Sequence, residues 1–72
     1  MKLKKQNYTH KPFAGFAFGF KRKNQNYIWS YARSVAQAKE QKGNDTVYFW
    51  NEDKEIWQEI IRFVDETKFM VK

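Results

Sequence analysis

The apolar side chains of this chain recur with two different periods. From Phe13 to Phe20 they alternate, with Phe16, Phe18 and Phe20 on one side and Gly15, Ala17 and Gly19 on the other, the two-residue repeat of a strand. Lys21 to Asn26 is a polar, asparagine-bearing connector. Tyr27 to Ala32 alternates again, with Tyr27, Trp29 and Tyr31 together, and predicts a second strand paired with the first as a hairpin. Ile28, Tyr31, Val35 and Ala38 also keep helical spacing, so a helix starting after Asn26 competes with that strand. The run Ser34-Val-Ala-Gln37 has the form of a capping box and favours strand first, then a helix that ends at Gly43. Thr46 to Trp50, β-branched and aromatic, predicts a third strand.

Beyond Trp50 the spacing predicts a helix. Asn51 reads as its cap, Glu52, Asp53 and Glu55 suit the positive end of its dipole, and Ile56, Trp57, Ile60, Ile61, Phe63 and Val64 fall within an arc of about 160°. Phe69-Met-Val71 fits either a fold-back tail or a small addition to a sheet edge. The expected order is therefore β-β-α-β-α. That is a small two-layer α+β domain with a three-stranded antiparallel-type sheet and helices on one face.

Residues 1–12 carry no apolar period and end in His10-Lys11-Pro12, which predicts a flexible basic arm before a single domain at 13–72. At 72 residues the chain is near the lower limit for a core without disulfides or metals. With no cysteine and one histidine, it offers neither a disulfide framework nor a zinc site, and it implies no cofactor. No apolar run is long enough to span a membrane. The start Met1-Lys2-Leu3-Lys4-Lys5 resembles that of a signal peptide, but the polar stretch to Pro12 argues against one, so a cytoplasmic location is expected.

Charge adds a polarity that the apolar pattern does not show. The net charge is +6, yet residues 1–43 carry ten Lys/Arg against one acid, a net +9, while residues 44–72 carry four against seven, a net −3. A basic half of this kind attracts phosphate backbones or an acidic protein surface, although surface lysine kept for solubility has the same composition. Fourteen aromatic residues accompany it.

Gly15-Phe16-Ala17-Phe18 resembles the core of the RNP1 motif of RNA-recognition and cold-shock domains, whose strand aromatics stack on bases. It has Ala14 where that motif has a basic residue and Gly19 where it has an aliphatic one, and the expected element order matches neither domain. Parity is a stronger objection. Phenylalanines turned toward a ligand would leave only glycine and alanine to pack on a helix bearing Trp57 and Phe63, so the Phe face is expected to be core. Laid on that same face, Tyr27, Trp29 and Tyr31 leave a smooth opposite face of Gly15, Ala17, Gly19, Ser30 and Ala32, with Tyr48 and Trp50 exposed at its edge.

Catalysis is not expected. The acids are spread along the expected last helix, His10 has no partner nearby in sequence, and neither Ser30 nor Ser34 has a recognisable base. The expected binding residues are Lys4, Lys5 and Lys11 of the arm, Lys21, Arg22 and Lys23 at the hairpin tip, Arg33, and Tyr48 and Trp50 on the open face. They imply a small non-enzymatic nucleic-acid-binding module, for DNA or RNA. The alternative is a compact inhibitor or adaptor, of the kind phages and mobile elements encode, that docks an acidic surface of a host protein through the same face. A homodimer closed over that face is compatible with either.

Overall fold

In the computed structural model, which describes residues 11–72, Phe18 and Phe20 do lie on a strand. The turn before it is set by Gly15. The Phe16 amide donates to the Phe13 carbonyl at 3.0 Å, and Gly15, in the third position, has φ 90°, where a side chain is strained. Strand β1 (Phe18–Lys21) then runs into a connector and returns as β2 (Ser30–Ala32). Ser34 caps helix α1 (Val35–Gln41), its Oγ accepting from the Gln37 amide at 3.2 Å while Gln37 Oε1 accepts from the Arg33 amide at 2.8 Å. Gly43, at φ 53° with open space around it, releases the chain into strand β3 (Thr46–Asn51).

The expected second helix is absent. Its place is taken by β4 (Ile56–Phe63) and β5 (Phe69–Val71), and the fold is one five-stranded antiparallel sheet of order β2-β1-β3-β4-β5 with a single seven-residue helix. The order is β-β-α-β-β-β, which replaces the three-stranded sheet with two helices. The capping signal at Asn51 is real but short-lived. Asn51 Oδ1 accepts from the Lys54 amide at 3.1 Å and its carbonyl from the Glu55 amide at 2.7 Å, one turn of helix-like bonding. Glu55 then takes φ 56° and ends it, and the isoleucines and Trp57 that follow pair with β3, where β-branched and aromatic side chains are favoured.

A β-bulge explains why this segment reads as helical. Ile60 lies opposite Val71, but the next partner of β5 is Arg62, opposite Met70, so Ile61 is an extra residue. Ile60 and Phe63, three apart, are thereby both turned inward, an imitation of helical spacing. Trp57, which belongs to the same apparent arc, packs on the opposite face.

Both faces of the sheet are packed. On one, Phe18 lies opposite Ala32 and Phe49, and Phe20 opposite Val47, under Val35 and Ala38 of α1. The sheet curls over this core, since Phe69 on the edge strand β5 has its ring 5.4 Å from that of Phe18 and 5.0 Å from that of Phe49. Each fully buried large side chain of this kind contributes about 1.5–3 kcal/mol. On the other face Tyr48, Trp50, Trp57 and Ile28 form a second cluster with Tyr31 against it.

That second face was expected to be smooth and open, and it is neither. The residue that faces it in the centre, Gly19, is a recess. A Cβ there would stand 2.8 Å from Ile28 and 3.2 Å from Trp57, so the missing side chain is what lets these two close over the backbone. The parity expected for the second strand is also reversed: Ala32 faces Phe18, while Tyr31 lies beside Gly19 and Tyr48. Strand β2 begins three residues later than Tyr27, leaving a long connector whose Ile28 is buried while Tyr27 and Trp29 remain outside.

Candidate nucleic-acid interface

The expected binding residues are divided between the two ends of the sheet. Because Phe18 pairs with Ala32 and Phe20 with Ser30, Arg33 and the Gly15 turn lie at one end of the β1–β2 hairpin and Lys21, Arg22 and Lys23 at the other. Tyr48 and Trp50, expected to be exposed, are buried, at 7% and 6% exposure, because Ile28 and Trp57 cover them. They cannot stack on a ligand without unpacking the second face. Burial also raises the Tyr31 phenol above its ordinary pKa of 10.0, so it is uncharged at neutral pH. Lys4, Lys5 and the rest of residues 1–10 lie outside the described residues.

At the Gly15 end, the Arg33 guanidinium lies 4.3 Å above the Phe16 ring, and Phe13 and Phe16 flank Tyr31 at 6.3 and 6.2 Å. Two shallow depressions meet here, but among the described residues their only cationic lining residue is Lys11, against Glu52 and Asp53 of the β3–β4 turn. Those carboxylates repel phosphate.

At the connector end the balance is reversed. The β3–β4 ladder runs from Asn51 opposite Ile56 to Tyr48 opposite Glu59 and stops there, while Val47 and Thr46 remain paired to β1. The strands part, and the gap is a groove of about 530 Å³ floored by Val47 and Ile60. Among the described residues four cations from three elements line it: Lys23 of the connector, Lys39 of α1, Lys42 at the C-cap of that helix and Arg62 at the bulge. The two lining acids already have partners. Asp45 Oδ2 accepts from the Trp29 indole N–H at 2.8 Å and lies 4.0 Å from Arg22, and Glu59 lies 3.5 Å from the Lys72 ammonium. Lys39 is paired with Glu66 at 3.5 Å, whereas Lys23, Lys42 and Arg62 have no carboxylate within ion-pair distance among the described residues.

Two of the expected residues have other tasks. The Lys21 ammonium donates to the Gln25 carbonyl at 2.9 Å and to that of Arg22 at 3.3 Å, so it ties the connector's turn. The Arg22 guanidinium lies 4.2 Å above the Trp29 ring. Trp29, at 46% exposure, and Tyr27, at 53%, were both expected in the core. Lys39 and Lys42 sit three apart at the end of a helix, a spacing that places them side by side and was visible in the sequence, whereas Arg62 was hidden by the helical reading of β4.

Among the described residues no helix is long and apolar enough to cross a membrane, and no cluster of His, Asp or Glu could hold a metal ion. Comparison with protein-family models, curated proteins and solved structures finds no match for the chain.

Proposed function

We propose that the chain is a small nucleic-acid-binding module whose phosphate site is the groove between β3 and β4. The observation that carries this reading is the convergence of Lys23, Lys39, Lys42 and Arg62 on one groove whose two carboxylates are already engaged. A phosphate backbone laid there meets three cations that no carboxylate pairs among the described residues, and displaces their counterions. The groove is open and its floor is partly apolar, so sugar edges as well as phosphates find contact. Nothing at this site supplies a nucleophile with its base, and the module acts by binding.

Fluorescence anisotropy with short labelled oligonucleotides tests this reading. Binding is expected at low ionic strength, with affinity falling steeply as salt rises. Replacing Lys23, Lys42 and Arg62 together by glutamine removes about three contacts and lowers the salt slope by roughly 2. Replacing Lys11 and Arg33 at the other end changes little. Absence of binding even at low salt refutes the proposal.

A second reading, a protein-docking inhibitor or adaptor, is favoured by one observation. Ile61 of β4, Val64 just beyond that strand and Met70 of β5 are all about half exposed, and Met70 lies opposite Arg62. Apolar side chains beside an arginine are the usual makings of a protein contact. A stoichiometric partner that survives nuclease treatment, together with silent oligonucleotide titrations, would favour it over the first.

A further inference from the structure

We propose that Trp29, held under Arg22, is a stacking plate for an unpaired base, and that the ligand of the basic groove is therefore a single strand rather than a duplex. This rests on the nucleic-acid reading of the groove and adds what kind of strand it takes.

An arginine over a tryptophan is a common surface pair and by itself implies no ligand. Three observations carry this one further. First, the ring is fixed at both its edge and its face. Its indole N–H is held by Asp45 at 2.8 Å, the guanidinium lies 4.2 Å from the ring centroid, and still 46% of the residue's surface is open. The side-chain freedom that a stacking contact would have to freeze has already been lost in the fold.

Second, the plate and the groove share a wall. Asp45, which holds the indole, lines the groove, and Lys23, one residue from Arg22, lines it too. A strand whose phosphates follow Lys23 and Lys42 passes beside Trp29, with half-exposed Tyr27 two residues away on the same connector. Aromatic rings beside a cationic track bind single strands through base stacking, which a duplex cannot offer because its bases are already stacked on each other.

Third, no element among the described residues is suited to reading a duplex. A major-groove reader presents a helix or a two-stranded ribbon with several free side chains. Here the only helix among the described residues has seven residues, and its exposed side chains include Lys39, already paired with Glu66, and Glu40, which repels phosphate. The hairpin end that a ribbon would insert is the connector, whose Lys21 is tied to Gln25 and whose Arg22 lies on Trp29.

The test compares oligothymidylate and oligouridylate of about twelve nucleotides with a duplex of equal length, at one low salt concentration. Anisotropy and intrinsic tryptophan fluorescence are both read. Single strands are expected to bind at least tenfold tighter than duplex and to quench the fluorescence, and comparison of the two homopolymers shows whether the sugar matters. Trp50 and Trp57 are buried, so the quench belongs to Trp29.

Trp29→Ala is expected to weaken single-strand binding about tenfold and duplex binding far less, since Asp45 keeps Arg22 beside it. Trp29→Phe keeps a flat ring but lacks the indole N–H that Asp45 holds, so it should keep most of the single-strand affinity, whereas a role confined to that hydrogen bond predicts the same loss as in Trp29→Ala. Equal affinity for duplex, or an unchanged single-strand affinity in folded Trp29→Ala, overturns the single-strand proposal and leaves the basic groove standing. Failure of every oligonucleotide to bind at low salt overturns both.

Discussion

The two faces of the sheet bury comparable aromatic side chains by different means. The face bearing Phe18 and Phe20 is covered by secondary structure, α1 on one side and the curl of β5 on the other. The face bearing Tyr48, Trp50 and Trp57 has no helix over it among the described residues, and it is closed by its own rings and by Ile28 of the connector. Trp50 and Trp57 meet edge to face at 5.2 Å, and Tyr31 leans on Trp57 at 6.2 Å. The first face therefore holds the fold together, and the second holds the connector to it. Ile28 points in and Trp29 out, so whatever fixes Ile28 also fixes the proposed stacking plate.

The sharpest way to separate the two roles is to damage each face in turn. Phe20→Ala opens a cavity in the helix-covered core and is expected to cost about 3–5 kcal/mol. That approaches the whole stability of a domain this small, so chemical denaturation should find the variant largely unfolded without denaturant. A cooperative, native-like transition in that variant would show that the helix-covered face is not what holds the fold.

Gly19→Ala attacks the other face with one methyl group, at a site where Ile28 is 2.8 Å and Trp57 3.2 Å away. The expected loss is smaller, about 1–3 kcal/mol. Its signature is local, since the Trp29 indole N–H resonance should shift and exchange faster as the connector is pushed outward. A stable protein with an unmoved Trp29 signal would separate the connector from the second face. The exposed Gly15 differs from Gly19. It needs its φ of 90°, with Arg33 Nη1 2.9 Å from where a Cβ would stand, so a bulky residue there strains the turn at the end away from the groove.

The smallest effect lies outside both faces. Asp65 in the β4–β5 turn accepts from the Thr67 amide at 2.8 Å and from its hydroxyl at 3.2 Å. These bonds, the backbone one foremost, hold its carboxyl below its ordinary pKa of 3.8. The contribution is present above that ordinary value and is lost as pH falls through the lowered one. Thr67→Ala removes only the hydroxyl, so an NMR titration should find the Asp65 midpoint moved part of the way back up. A midpoint that stays where it was would assign the whole shift to the backbone.

The elements whose signals are local are legible in the sequence. Gly43 and the Ser34–Gln37 box fix α1 at both ends, and the parity of Phe18 and Phe20 identifies the core side of β1. What is lost is what depends on partners distant in the chain. The bulge at Ile61 gives β4 the spacing of a helix, and only its pairing with β3 and β5 reveals it as a strand. Tyr48 and Trp50 have the correct parity but no sequence signal that Ile28 will cover them. For the site, Lys23 and Arg22 are legible as a basic tip, whereas Arg62 becomes a groove residue only once β4 is known to be a strand. Trp29 was misplaced because β2 begins at Ser30, so a residue counted inside a strand belongs to the connector.

The bulge also bears on how the chain length itself could vary. Ile61 is the one residue of β4 beyond what its ladder with β5 needs, and Ile60 and Phe63 already face inward on either side of the pair Ile61–Arg62. Deleting it would leave every inward side chain facing inward and make the ladder regular. What the shorter chain would change is the wall of the groove, which Ile61 and Arg62 both line. The proposed phosphate site thus borders a residue that the core can spare, and a one-residue deletion would test folding apart from the proposed binding.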